Sequence, residues 1–380
     1  MSEAYIIAAK RTPVAPRGGR LSRVEAWQLG AETIRAVLDD AGMQGNLVDA
    51  VIMGNALYGG GNPARMAALE AGLPETVPAL TVDTQCCSGL DAIALAASRI
   101  SAGEADVILA GGLESYSRAP IRQRRPLDEG DIPESYERPP FSPWPSRDPD
   151  MLASAAALAA ARGIERSGQE AYAVESHRRA GLDAYAAEEL VLVAGLDRDA
   201  FTRAMTLKTC ARLPVLAGDA TCGLTAATTA VEADAAAVVL VVSERVRATL
   251  KNRGTAVAIS GSASVGGNPE MPALSPITAI DKVCHDGEWA ADDFESIEMM
   301  EAFAVQAMVC IDGAGLDPSR VNARGGALAR GHPIGASGAI LAVRLWHDLV
   351  RRDEPGRGLA AIAAAGGLGS AMVLRREDTR

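Results

Sequence analysis

Aromatic residues are scarce in this chain of 380 residues, 4% in all, and histidine occurs four times, at positions 177, 285, 332 and 347. With so few imidazoles, each can be weighed singly. Six cysteines, at 86, 87, 210, 222, 284 and 310, form no C-x-x-C pair. That spacing excludes a disulfide framework and a cysteine-based zinc site, so no metal is expected and a reducing cytoplasm is the expected location. Long apolar runs are missing too: those near 151–161 and 235–242 fall well short of the roughly 20 residues a membrane-spanning helix needs. The first apolar run, Tyr5–Ala9, is closed by Lys10 and Arg11 and predicts a strand instead of a signal peptide. Positive charge is in deficit, 37 Lys and Arg against 48 Asp and Glu, for a net charge of −11. This balance argues against general nucleic-acid binding and against adhesion to an anionic membrane. A local basic cluster can still meet a phosphorylated small molecule.

What is present is an ordinary globular balance, 48% hydrophobic and 22% charged, in a chain long enough for several packed layers. Strand and helix patterns alternate: strand 5–9, helix 25–41, strand 50–53, helix 62–71, a helix from Ser88, strand 106–110. That is the order of an α/β domain with a mostly parallel sheet. The second half repeats the first. "VDAVIMGN" (48–55) is echoed by "FESIEMMEA" (294–302), "TVDTQCCSGLDAIALAA" by "RVNARGGALARGHPIGASGAILAV" (320–343), and "VILAGGLES" (107–115) by "AIAAAGGLGS" (361–370). An internal duplication is the economical reading. Between the halves, 119–150 is irregular and rich in Pro and charge, 151–190 is helical in pattern, and 208–230 is rich in Thr, Ala and Gly. This stretch reads as an insertion, the place where ligand-binding loops tend to sit.

Cys86 and Cys87 stand where a strand becomes a helix. Unsatisfied N–H groups and the helix dipole there favour a thiolate, although a pair of small core residues is the alternative. In "GHPIG" (331–335), glycines bracket His332 and the following Pro fixes the turn. Related halves would bring the turns at Cys86 and His332 to one pocket, as a nucleophile and its base.

"CCSGL", "GGLES", "EAFA" and "GHPIGASGA", in this order and spacing, resemble the thiolase family, as do "AAKRTPVAPRGGRL" and "GLPETVPALTVD". The similarity runs from about Tyr5 to Leu374. The resemblance implies an α/β fold of duplicated units, with central helices sandwiched between two mixed sheets and an inserted loop domain. The halves would be 1–118, completed by about 231–247, and 253–380, with 119–230 covering the coenzyme A site. It implies condensation of two acyl-CoA molecules, or thiolysis of a 3-oxoacyl-CoA, through an acyl-cysteine intermediate. The family motif C-x-S-G selects Cys86 over Cys87 as nucleophile, and G-H-P selects His332 as base. The backbone N–H groups of Cys86 and Ala365 would form the oxyanion hole. Coenzyme A and acyl-CoA enter as substrates, with no permanently bound cofactor, and a homodimer or homotetramer is implied.

Two positions depart from the family. Met300 stands where N-E-A-F has its Asn, which holds a water for the enolate oxygen, and Ala363 stands where a second cysteine moves the α-proton. Neither side chain can do that work. Acylation machinery is retained while condensation machinery looks impaired, so the acyl group could instead pass to another nucleophile or to water. A low-activity binding subunit of a larger complex is the rival from another class. Cys87, Glu301, His285 and Cys284 are candidate substitute bases. Arg122, Arg124 and Arg125 either belong to a solvated loop or meet the coenzyme A phosphates. Thr225 and Thr228 fall in the stretch that resembles the pantetheine channel. Glu114 is expected to support the packing beneath the nucleophile turn, and His177 and His347 to be structural helix residues.

Overall fold

A computed structural model describes residues 3–250 and 256–377. The ends expected for the halves at residues 1, 253 and 380 lie outside the described residues. The first half runs β1 (Ala4–Arg11), α1 (Ala26–Ala41), β2 (Ala50–Gly54), α2 (Pro63–Glu70), β3 (Ala79–Val82), α3 (Ser88–Ser101) and β4 (Val107–Ser115). Two longer helices follow, α4 (Met151–Arg162) and α5 (Arg166–Gly181), and then β5 (Ala233–Ser243). The second half runs β6 (Val257–Gly266), α6 (Ser275–Gly287), β7 (Phe294–Met299), α7 (Ala304–Gly313), α8 (Ile334–Arg351), β8 (Gly356–Ala364) and β9 (Leu368–Arg376).

Local chemistry sets these limits. Helix α1 starts where Glu25 and Gln28 form a reciprocal capping box, and it stops at Gly42, whose φ of 59° takes the left-handed turn that a side chain would oppose. Its Leu29, Ile34, Val37 and Leu38 recur at helical spacing and are buried. Strands β4 and β5 are buried along their whole length, as their near-continuous apolar runs require.

The strands lie in the order β7-β8-β9-β6-β1-β5-β4-β2-β3. Each half repeats the same pairings. β2 and β4 are parallel, as are β7 and β8, while β4–β5 and β8–β9 are antiparallel. Val321, bridged in parallel to Ile297, occupies in the second half the place of β3 in the first. The duplication read from the sequence is therefore a duplication of topology.

The two sheets expected are joined. A short antiparallel seam, Tyr5 to Ala258 and Ile6 to Val257, unites them into one hydrogen-bonded sheet. Helices α3 and α8 sit between its two halves. Leu90 and Ile93 of α3 and Leu341 and Leu345 of α8 share a core with Ile52, Ile108 and Val239 on one side, and with Ile362, Met372 and Leu374 on the other. A second core, under α1 and α2, covers the outer face of the first half, and a third, under α6 and α7, that of the second.

The starts of α3 and α8 approach very closely. A Cβ at Gly112 would lie 2.1 Å from the carbonyl oxygen of Gly335, and one at Gly89 would lie 2.7 Å from the Ala339 nitrogen. The matching "AGGL" segments diverge here. Gly111 and Gly112 stay in strand β4, whereas Gly366 and Gly367, at φ 80° and 84°, turn the chain from β8 into β9.

The stretch 119–150 is not wholly irregular, since Arg122–Arg124 pairs with Glu134–Tyr136 as a small hairpin. Residues 183–199 are bound to the body by buried ion pairs. Arg11 meets Glu189 at 2.9 Å and Asp199 at 2.8 Å, and Arg324 meets Asp183 at 3.0 Å. Removing one partner of such a pair leaves a buried charge uncompensated, at a cost of about 3–5 kcal/mol.

Candidate active site

Strand β3 ends at Val82, and the chain reaches α3 through Gln85, which adopts a left-handed φ of 56°. Ser88 clamps this turn. Its hydroxyl accepts the Thr84 N–H at 2.9 Å and donates to the Gln85 carbonyl at 2.5 Å. The turn presents Cys86 to a cavity of about 410 Å³, while Cys87 is fully buried in the core with its Sγ 3.6 Å from the Ile362 carbonyl.

On the other side, Gly331 has φ 121°, and the N–H of His332 donates to the Val231 carbonyl at 2.7 Å. The imidazole lies with Nε2 3.1 Å from Cys86 Sγ and Nδ1 2.7 Å from Ser337 Oγ. The Ser337 hydroxyl donates in turn to the Pro333 carbonyl at 2.9 Å. It therefore accepts from Nδ1–H, which leaves the Nε2 lone pair facing the thiol. That is the tautomer a general base needs.

Burial opposes the expected thiolate. Desolvation pushes the Cys86 thiol up to about 12 even though the backbone N–H groups of Cys86 and Ala365 oppose it, and desolvation holds His332 down at about 4. Both shifts favour a thiol beside a neutral imidazole. Desolvation disfavours a charged pair here, and the N–H groups at the helix start work against it. The N–H groups of Cys86 and Ala365 lie beside the sulfur, where the family resemblance implies an oxyanion hole.

Glu114 lies beneath the pair. Its carboxylate accepts from Asn55 Nδ2 at 2.9 Å, Ala56 N at 3.0 Å and Gly335 N at 2.9 Å, tying the end of β2 to the start of α8. Burial raises it to about 7. This is the support role expected of it. His347 donates from Nε2 to the Ala9 carbonyl at 3.0 Å, and His177 accepts the Arg203 N–H at 3.3 Å. Both are structural.

Models of the thiolase N-terminal and C-terminal domains match residues 4–245 and 254–376. The chain belongs to the thiolase family. It is similar over 378 residues, at 39% identity, to YhfS of Bacillus subtilis (strain 168), covering 97% of this chain and 98% of that one. It is 36% identical over 397 residues to the acetyl-CoA acetyltransferase of Cupriavidus necator, covering 99% and 100%. The solved structure of human mitochondrial 3-ketoacyl-CoA thiolase in complex with CoA superimposes with a TM-score of 0.90 at 29% identity, covering 99% of this chain and 98% of that one.

In this thiolase Ala363 and Ala365 line the cavity, but Met300 does not. Met300 is buried in the central core and borders a separate void of about 20 Å³ behind Ser337. None of the four candidate substitute bases reaches the cavity lining. Cys87 is in the core, and Cys284 and His285 are on α6, away from the cavity. The Glu301 carboxylate is bound by Ser176 Oγ at 2.8 Å, Asn322 Nδ2 at 2.7 Å and Leu328 N at 3.1 Å. Of the three arginines, Arg122 lines the cavity, while Arg124 pairs with Glu134 on the exposed hairpin and Arg125 is exposed beside it.

Thr225 and Thr228 are fully buried and do not line the cavity. Thr228 Oγ1 caps the Thr225 N–H at 2.9 Å, and Thr225 Oγ1 accepts from Ala227 N at 3.2 Å. A turn uses their hydroxyls, and Thr229 lines the cavity instead. The sequence reading also passed over Ser337, which stands five residues past His332, and Tyr116, which directly follows "GGLES".

A neutral pair has a measurable signature. Alkylation of Cys86 by iodoacetamide is expected to be slow at pH 7 and to keep rising past pH 9, because the thiolate carries the reaction. A plateau with a midpoint below pH 7 would show a thiolate–imidazolium pair instead.

Proposed function

We propose that this thiolase takes an acyl group from an acyl-CoA onto Cys86 and passes it to a second acceptor. The observation that carries the reading is the 3.1 Å contact of His332 Nε2 with Cys86 Sγ at the wall of the cavity. His332 takes the thiol proton as sulfur attacks the thioester carbonyl. The tetrahedral oxyanion is met by the N–H groups of Cys86 and Ala365, and His332 returns the proton to the departing coenzyme A sulfur. General-base help is worth about 10²–10⁴-fold, and one oxyanion donor about 10²–10³-fold. Leu57, Phe141, Met151, Leu152 and Phe303 give the cavity the apolar walls that suit a pantetheine arm and a short acyl chain.

The relatives named as acetyl-CoA acetyltransferases support condensation or thiolysis as the second half-reaction. Met300 and Ala363 remove two of the family's groups for that half, which favours acyl transfer to a non-enolate nucleophile or to water as a second reading. We further assign residues 119–230 as the domain that covers the coenzyme A site, with Arg122 at the phosphates or the acyl group. No permanent cofactor, a cytoplasmic location and a homodimer or homotetramer complete the proposal. Among the described residues, no helix is long and apolar enough to cross a membrane.

Intact-mass spectrometry after incubation with a panel of acyl-CoAs tests the first step. The expected result is a mass gain of one acyl group, with chain length graded by fit to the cavity. No adduct with any chain would sink the proposal.

A further inference from the structure

Most polar side chains around the cavity are already engaged. Asp150 caps α4 through Leu152 N and Ala153 N, Glu232 pairs with Arg17 at 2.9 Å, and Arg138 pairs with Asp148. Gln306 accepts from Ala302 N at 3.2 Å. Two hydroxyls on the cavity have no hydrogen-bond partner among the described residues, the buried Thr229 Oγ1 and that of Tyr116, the only one of the two that is a phenol. Tyr116 leaves the end of β4 and lines the cavity that holds Cys86 and His332. It also lines a second cavity of about 290 Å³, bounded by Arg17, Arg122, Arg138 and Glu137. Tyr116 is half-buried, and a hydroxyl with no protein partner at the cavity wall is free to meet a ligand there.

We propose that Tyr116 is a catalytic residue of the second half-reaction, donating its hydroxyl hydrogen to the thioester oxygen of the acceptor acyl-CoA as that oxygen becomes an enolate. The inference rests on the acylation of Cys86 proposed above. It supplies a donor for the enolate oxygen in a chain that has Met300 where the family has its water-holding Asn.

Physical chemistry supports a donor and not a base. Desolvation, together with Cys86, Glu232 and Glu114 nearby, pushes the phenol well above its ordinary value, so it stays protonated. The proton count then closes with the groups on hand. After acylation His332 is again neutral, having given its proton to the departing coenzyme A sulfur. Its Nε2 takes the α-proton of the acceptor, and the electron pair shifts to the oxygen held by Tyr116. As the enolate carbon forms its bond to the acyl carbonyl, the C–S bond to Cys86 breaks, and the leaving sulfur takes the proton back from His332. One base thus serves both halves, the enolate being stabilised by a fixed O–H.

Tyr116→Phe, which keeps the ring and removes only the hydroxyl, is the test. Two quantities are followed in the full chain: acyl adduct formation, and loss of deuterium from the methyl group of deuterated acetyl-CoA, which reports enolate formation directly. We expect the variant to form the adduct at close to the wild-type rate while deuterium loss and transfer to acetyl-CoA fall about 10²–10³-fold, the usual cost of one oxyanion donor. Deuterium loss within threefold of wild type overturns the assignment, and so does an equal fall in both quantities, which marks a structural residue. A fall seen with Glu137→Gln but not with Tyr116→Phe overturns it in favour of the carboxylate. Failure of the wild-type protein itself to form an adduct overturns the underlying reading, and this inference with it.

Discussion

Replacing Cys86 with alanine is expected to abolish the acyl adduct and to cut turnover on the order of 10⁴–10⁶-fold, the scale seen when a nucleophile is removed from a working unit. Cys87→Ala is expected to leave the adduct in place. The two sulfurs are neighbours in sequence, but they point in opposite directions. Cys86 faces the cavity and His332 Nε2, whereas Cys87 is fully buried among core residues. Burial pushes Cys87 well above its ordinary value, and its loss from the core should cost about 1 kcal/mol, as most substitutions do. Intact mass and a thermal melt on both variants decide the matter. An adduct that persists in Cys86→Ala and vanishes in Cys87→Ala would reverse the assignment.

Ala363→Cys is expected to raise thiolysis of acetoacetyl-CoA by about 10²-fold or more, because it adds a second proton carrier where none stands. Ala363 lines the cavity that holds Cys86 and His332, so the added sulfur meets open space and acylation should be unaffected. Met300→Asn is a different matter. Met300 is 1% exposed in the central core and does not line the cavity. An amide there has to find partners in an apolar surround, and unpaired it costs about 1–3 kcal/mol. The gain should therefore come from position 363 alone, with the double variant less stable and no faster. The comparison turns on the wild-type rate. Turnover within about 1–10³ s⁻¹ before any substitution would show that His332 and its surroundings already move the α-proton adequately, and Ala363 would then mark no loss.

The fold was legible because its signals are periodic and repeated. Alternating strand and helix patterns, and a second half echoing the first, led to the paired α/β units. The joining seam was not legible, since two pairs of partners, Tyr5–Ala258 and Ile6–Val257, leave no trace in composition. Cys86 and His332 could be found from turns, where glycines and a proline announce a special backbone. Thr225 and Thr228 could not be judged in advance, because the local turn decides whether a hydroxyl faces a cavity or caps a neighbouring N–H. The charge balance at Cys86 could not be read in advance for a similar reason. A helix start can be read from sequence, but the desolvation that opposes it depends on everything folded around the sulfur. Tyr116 carries no motif of its own, and only the cavity singles it out.

The order of the strands has a consequence on the ribosome. Strand β4 ends at Ser115, and the strand that covers its free edge, β5, begins at Ala233. At about 5–20 residues per second, that interval leaves a nascent, largely apolar strand edge bare for roughly 10 s. Such an edge invites pairing with another chain, so the growing polypeptide depends on a chaperone or on early collapse of α1 and α2 against it. The same timetable separates the two halves of the chemistry. The sulfur emerges early and the imidazole near the end, so a prematurely released chain carries an unarmed nucleophile. Truncated products of this protein should therefore be sticky but inert toward thioesters.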